Sequence, residues 1–233
     1  MKIRCLFFTL LQILFFVACD NDDETTTPVG IDDTFNNSLQ GWEGDFADYP
    51  TTPGDSIFYE LNFKHANLPK PLDNTKKSIM ISGNNHSDDL FMFLRKKVTG
   101  LIPNQQYDAT FDIEFASNAA SNHFGVGGAP GESVYIGAGF TIDRPIKVDD
   151  KKGYYRMNIK KINQANDGDE MKIIGNIANG TDQDDYVLIK RSGTFTGKAD
   201  DKGEVWVIIG TDSGFEATTT LYYTHIKIAF TPK

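Results

Sequence analysis

Beyond residue 19 the chain contains no cysteine: its two, Cys5 and Cys19, both fall in the first twenty residues. That excludes an internal disulfide from everything downstream, and it excludes thiolate zinc sites as well. The four histidines, at 65, 86, 123 and 225, show no paired ligand spacing. Clustered positive charge is missing too. The only basic runs are Arg95-Lys96-Lys97 and Lys151-Lys152 in a chain of net charge −9, so the counterion displacement that drives nucleic-acid binding has no footing here. No window of helix length carries a capped apolar stripe, and no repeat appears at the periods of propellers or solenoids. The longest apolar run, Cys5 to Val17, is too short to span roughly 30 Å of hydrocarbon, which takes about 20 residues.

That run reads instead as the apolar stretch of a signal peptide, with Lys2 and Arg4 before it. Phe16-Val17-Ala18-Cys19 resembles the lipobox cut by lipoprotein signal peptidase, with Phe16 where Leu is usual. Residues 1–18 are therefore expected to be removed and Cys19 to be acylated. Cleavage would leave 21 basic against 32 acidic residues, a net charge of −11. Acyl chains contribute about 0.8 kcal/mol per buried methylene, so the expected partner is a membrane held through a lasting lipid anchor. Residues 19–30 read as an acidic, flexible tether. Within it Asp20-Asn21-Asp22-Asp23-Glu24 resembles the signal that sends some Gram-negative lipoproteins to the outer leaflet, which implies a surface-exposed outer-membrane protein; a solvated tether is the alternative.

From Ile31 to Lys233 the apolar residues recur at every second position, which predicts a single all-β domain. Tyr107, Ala109, Phe111, Ile113 and Phe115 share one face of a strand, and Asp108, Thr110, Asp112 and Glu114 the other. The same alternation marks Ile57-Tyr59-Leu61-Phe63, Val134 to Ile142, Val205 to Ile209 and Ile226 to Phe230. Shorter strands are expected at Ser78–Ser82, Asp89–Leu94, Tyr154–Ile159, Met171–Ile174 and Tyr186–Lys190. About ten strands this apolar must bury a face against one another, which predicts an antiparallel two-sheet, jelly-roll-like β-sandwich. With 17 Phe and 39% hydrophobic residues, burial alone supplies its stability.

Three stretches carry a family resemblance: Phe35 to Trp42, with its Gly-Trp ending; Val98-Thr99-Gly100-Leu101-Ile102-Pro103-Asn104-Gln105-Gln106-Tyr107; and Leu221 to Ile228. Together they resemble the carbohydrate-binding-module and galactose-binding-domain-like sandwiches. The resemblance implies a glycan ligand and a structural calcium ion between the first strand and an acid on the last; here Thr224 and His225 stand in that stretch. The segments 44–50, 82–89 and 210–216 also resemble those of a group of bacterial surface lipoproteins, a resemblance that carries no activity with it.

Those segments hold the candidate site. Sugars are bound by aromatic faces and by carboxylates and amides that bond their hydroxyls. Trp42 and Tyr49 supply the first; Asp45, Asp48, Asn85, His86, Asp88, Asp89, Asp212 and Glu216 supply the second. The competing reading makes the aromatics core and the Asp and Asn residues turn formers. The oxygen-rich runs Asp88-Asp89, Asn166 to Glu170 and Asp182 to Asp185 suit Ca²⁺ in ligand type, though none has EF-hand spacing. No catalytic residue is assigned. Gly210-Thr211-Asp212-Ser213-Gly214 places its serine one position late for a nucleophile elbow, and the Gly125–Gly131 run lacks a following helix. The expectation is a non-catalytic, glycan- or small-ligand-binding domain. A structural subunit of an envelope assembly, with an apolar patch on one sheet face, and a polysaccharide hydrolase or lyase using Asp45 or Asp48 with Asp212 or Glu216 are the alternatives.

Overall fold

A computed structural model describes residues 29–233; the expected signal peptide, Cys19 and the acidic run lie outside the described residues. The chain runs through β1 (Gly30–Thr34), β2 (Glu43–Ala47), β3 (Tyr49–Pro50), a helical turn α1 (Asp55–Phe58), β4 (Asn62–Asn67), β5 (Lys77–Asn84), β6 (Phe91–Val98) and β7 (Gln106–Ser117). It continues as β8 (Val134–Thr141), β9 (Lys147–Asp149), β10 (Tyr154–Met157), β11 (Lys172–Asn176), β12 (Val187–Lys198), β13 (Val205–Ser213) and β14 (Thr218–Pro232). One sheet has the order β12-β7-β14-β5-β4, with β1 also paired to β14; the facing sheet has the order β11-β8-β13-β6-β2. A third, three-stranded sheet, β3-β10-β9, stands beside them. Every pairing is antiparallel. The fold is the predicted two-sheet sandwich.

Period-two burial builds the seam. Tyr107, Ala109, Phe111, Ile113 and Phe115 all turn inward and are at most 3% exposed. They meet Ile79 and Ile81 of β5, Tyr223, Ile226 and Ile228 of β14, and Leu94, Ile136 and Ile209 from the other sheet. A fully buried side chain of this size contributes roughly 1.5–3 kcal/mol, so the seam dominates stability.

The second sheet is covered on its outer face as well. Alternate residues of β6 and β13, among them Phe91, Phe93 and Ile208, pack with Ile162 and Met171 in a separate apolar cluster. The cover is the long excursion between β8 and β11. It lies so close that a Cβ at Gly139 would stand 2.0 Å from the Glu170 carbonyl oxygen, and one at Gly137 would stand 2.8 Å from the Ile162 side chain. Strands buried on both faces read as unbroken apolar runs, as Phe91-Met92-Phe93-Leu94 does.

Local differences from the sequence reading have local causes. Ile57 to Phe63 is not one strand. Gly54 (φ 97) and Glu60 (φ 52) break the extended backbone, α1 forms between them, and β4 begins at Asn62. Ile57 therefore stands 81% exposed on a helical turn. The segments at 44–50 and 210–216 are largely strand: β2 and β3 in the first, the end of β13 in the second. Large exposed apolar residues such as Phe58, Phe124, Val126 and Ile142 sit on turns and loops, while Val148 of β9 and Leu188 of β12 are exposed on strands.

Candidate functional site

The three candidate segments meet. Pairing of Ala47 with Phe91 and of Phe91 with Asp212 brings the ends of β2, β6 and β13 side by side. Carboxylate oxygens of Asp48, Asp89 and Asp212 lie within 4.8 Å of one another. Asp48 links β2 to β3 with φ 62, and Asp88 has φ 59; Asp adopts this left-handed region more readily than most residues. At each position the chain turns sharply at the sheet edge.

Asn85 ties this corner together. It is 1% exposed, and its amide donates to the carbonyl oxygens of Ser213 at 2.8 Å and Phe215 at 3.0 Å. Its Oδ1 accepts the backbone N–H groups of Ser87, Asp89 and Leu90 at 3.1–3.3 Å. Asn85 is the knot that fixes the 85–90 turn against β13.

Two cations from the excursion complete the cluster. Lys161 Nζ donates to Asp48 Oδ2 at 2.9 Å and also to Asp212 Oδ2, while the ammonium rests 4.7 Å from the centre of the Phe91 ring. Arg156, from β10, donates to Asp48 Oδ1 at 2.9 Å and Asp89 Oδ2 at 2.7 Å. Asp212 has no exposed surface, and its Oδ1 is buried without a partner. Burial pushes its carboxyl up to about 6 against the pull of Lys161, so it is ionised near neutrality and takes a proton in mildly acid solution. Burial likewise raises Asp89, with Arg156 opposing. For Lys161 burial acts downward, but the carboxylates of Asp212 and Asp48 outweigh it and the ammonium is held above its ordinary value.

Around this cluster opens a cleft of about 260 Å³, lined by Asp48, Asp89, Arg156, Lys161, Ile159 and Asn163 among others. On the turn that leads to Asp89, His86 stacks on Phe58, 60% exposed, with ring centres 4.1 Å apart. The cleft itself presents the open edges of the Asp89 carboxylate and the Arg156 guanidinium.

The remaining candidates lie elsewhere. Trp42 is 2% exposed, and its indole N–H donates to Asp33 Oδ2 at 2.9 Å. It sits six residues before Asp48, at roughly 3.3 Å per strand residue. Tyr49 is 4% exposed; it packs on Tyr59 and Tyr155, and its hydroxyl accepts from Lys147 at 2.8 Å. Both rings are closed off by their own neighbours. Asp45 pairs with Lys147 at 3.1 Å, away from the cleft. Asp88 is exposed on the 85–90 turn, and Glu216 is exposed above the glycine-rich loop, its side chain beside Gly127. Arg156 and Lys161 were missed. Both sit among ordinary polar residues, and nothing in the sequence shows that the excursion folds back over β13.

The three carboxylates are close enough to gather a metal ion, yet four of their oxygens already face Lys161 and Arg156. The ammonium stands where a cation would, so the site as arranged does not fit a divalent ion. The stretch implied for calcium is also occupied. Asp32 pairs with His225 at 2.6 Å, Asp33 accepts from Trp42, and Thr224 donates to Glu114 Oε1 at 2.8 Å. The acidic runs at 166–170 and 182–185 make turn contacts: Asp167 Oδ1 accepts the Ile173 N–H at 2.8 Å, and Asn179 reaches the carbonyl oxygens of Gln183 and Asp185 at 2.8 and 3.2 Å.

No protein-family model matches the chain. No curated protein matches it either. Among solved structures it is similar to an arabinose-bound MgGH51 α-L-arabinofuranosidase, at 12% identity and a TM-score of 0.42, over 88% of this chain and 25% of that one. It is also similar to a carbohydrate-binding module of the β-sandwich superfamily, at 12% identity and 0.40, over 81% and 57%. A third is the CBM22-1 xylan-binding domain of Xyn10C from Paenibacillus barcinonensis, at 10% identity and 0.36, over 88% and 97%. The chain thus spans 25% and 57% of the length of the first two.

Proposed function

We propose that the protein is a lipid-anchored envelope protein whose sandwich binds glycan, without catalysis, at the cleft around Asp89, Arg156 and Lys161. One observation carries the reading: three segments far apart in sequence, 44–50, 83–89 and 210–216, bring Asp48, Asp89 and Asp212 within 4.8 Å of one another, with Asp48 and Asp89 lining one open cleft and Asp212 buried behind them. The open pair of this cleft, Asp89 and Arg156, with side chains 33% and 40% exposed, suits a neutral polyol. Each hydroxyl accepts from the guanidinium and donates to a carboxylate, and no unpaired ion is left behind. The Phe58–His86 stack offers an apolar face for ring C–H groups.

Binding without catalysis is favoured over hydrolysis by the state of Asp212. It has no exposed surface, and a general acid must reach the proton it transfers. Asp45 and Glu216, the other acids considered for a hydrolytic pair, lie outside the cluster. Anchoring rests on the Phe16-Val17-Ala18-Cys19 motif.

A glycan array probed with the full chain in detergent tests the binding role. We expect a defined set of neutral oligosaccharides to bind, and Asp89→Ala or Arg156→Met to lower affinity about tenfold or more with the circular dichroism unchanged. An array without a hit, or variants that bind as the wild type does, overturns it. Mass spectrometry of the envelope-derived protein tests the anchor, with an acylated N-terminal Cys19 expected and an unmodified thiol contradicting it.

A further inference from the structure

The loop between β7 and β8 carries features that the Asp89 cleft does not use. Phe124 stands wholly in water, 102% exposed, and Val126 is 68% exposed. The loop holding them is closely fitted. A Cβ at Gly125 would stand 2.5 Å from the Phe215 ring and one at Gly128 would stand 2.5 Å from Ser133. The Glu216 N–H donates to the Val126 carbonyl oxygen, and the Ala129 N–H to Ser133 Oγ, each at 2.9 Å. The Phe124 ring is therefore presented from a fixed frame, and such a ring in water is a contact surface awaiting a contact.

Beside the ring lies a cleft of about 430 Å³, lined by Asn122, His123, Phe124, Glu132 and the glycine-rich backbone. Glu132 Oε1 accepts the Asn122 N–H at 3.0 Å, whereas Oε2 is buried with no partner. Among the described residues no Lys or Arg pairs with Glu132. The surroundings are acidic. The loop bearing Asp182, Asp184 and Asp185 is held alongside by the Ser121 N–H donating to the Thr181 carbonyl oxygen at 2.7 Å, and His123 lies 3.7 Å from Asp184. Arg191, the neighbouring cation, gives its donors to the carbonyl oxygens of Asn176 and Ala178. An uncompensated carboxylate next to an open aromatic face is suited to a cation with an apolar body: the ring quadrupole and the carboxylate attract the same charge.

We propose that this cleft is a second binding site, separate from the Asp89 rim, for a ligand bearing a protonated amine on a ring, of the amino-sugar class. The C–H face of the ring lies on Phe124, the ammonium faces Glu132, and Asn122 and His123 meet hydroxyls. Calorimetric titration of the full chain with a β-1,4-linked glucosamine tetramer, its fully N-acetylated form and cadaverine tests this. The free amine form should bind about tenfold or more tighter than the acetylated one, Glu132→Gln should abolish that preference, and Phe124→Ala, at a position too exposed to disturb folding, should weaken both sugars. Asp89→Ala should leave all of this unchanged, so failure here and failure of the other cleft are read separately. Equal affinity for the two sugar forms, no binding of either, or a preference that survives Glu132→Gln overturns the proposal. Cadaverine binding as tightly as the tetramer overturns its assignment to a sugar.

Discussion

The two faces of the β6–β13 pair are buried by opposite means. On the inner face Leu94, Val207 and Ile209 enter a continuous apolar seam whose partners are interchangeable in kind and fixed by shape. On the outer face Phe91, Phe93 and Ile208 give a smaller apolar patch, and the cover is located by named charges: Lys161 on Asp48 and Asp212, and Arg156 on Asp48 and Asp89. Apolar burial is strong and indifferent to register, whereas buried ion pairs add little net energy but penalise every arrangement that leaves one partner alone. The seam makes the sandwich stable; the charges decide where the excursion lies on it.

Substitutions separate the two roles. Phe111→Ala, in the seam, should lower the unfolding free energy by about 3–5 kcal/mol in urea denaturation; a loss under 1 kcal/mol would show that the seam is not the main support. Lys161→Met should cost about 3 kcal/mol, because Asp212 is left buried without its cation while Asp48 keeps only Arg156, and the double variant with Asp212→Leu should recover most of it. Additive losses would mean that the ion pair is not what holds the cover.

The pH response sharpens the contrast further. Burial raises the folded Asp212 carboxyl to about 6, above the roughly 3.9 of an unfolded chain, so folding favours its protonated form. Its contribution is fully present below about pH 4 and is lost as pH rises through about 6. Relative to Asp212→Asn, the wild type should therefore lose on the order of 1–3 kcal/mol between pH 4 and pH 7; a flat difference refutes the burial argument. Seam variants should show no such dependence. Smallest is Asp45→Asn, at a partly exposed pair with Lys147, where thermal melting should detect a loss of no more than about 1 kcal/mol.

The seam was legible because its signal is local. In β7 the inward residues alternate without a break, as they do in β8, and β14 alternates on either side of one bulge between Tyr223 and His225, so the sandwich followed from periodicity. The edges were harder. β1, β2, β3 and β9 are short, and β2 carries Glu43, Gly44 and Asp45 in place of an alternating apolar set. The cluster was half legible: its carboxylates stood out as candidates because acids crowd beside aromatics at 48, 89 and 212. Its cations did not, because Lys161 and Arg156 act only once the excursion returns across Gly137 and Gly139, a long-range event with no short-range mark. Trp42 and Tyr49 reversed the error. Large aromatics beside polar residues suit a ligand surface and a core equally, and only three-dimensional burial tells the two apart.

The pairing of β1 with the far half of β14, Gly30 opposite Ala229 and Thr34 opposite His225, has a mechanical consequence. The chain enters the sandwich at the Pro232 end of β14, while Asp212 lies near the Thr218 end. A ligand grasped at one pole and a pull arriving upstream of Val29 at the other would draw β1 lengthwise along its neighbour. The rungs joining the two strands would then share the load at once in shear, the geometry that resists force better than peeling them apart one by one.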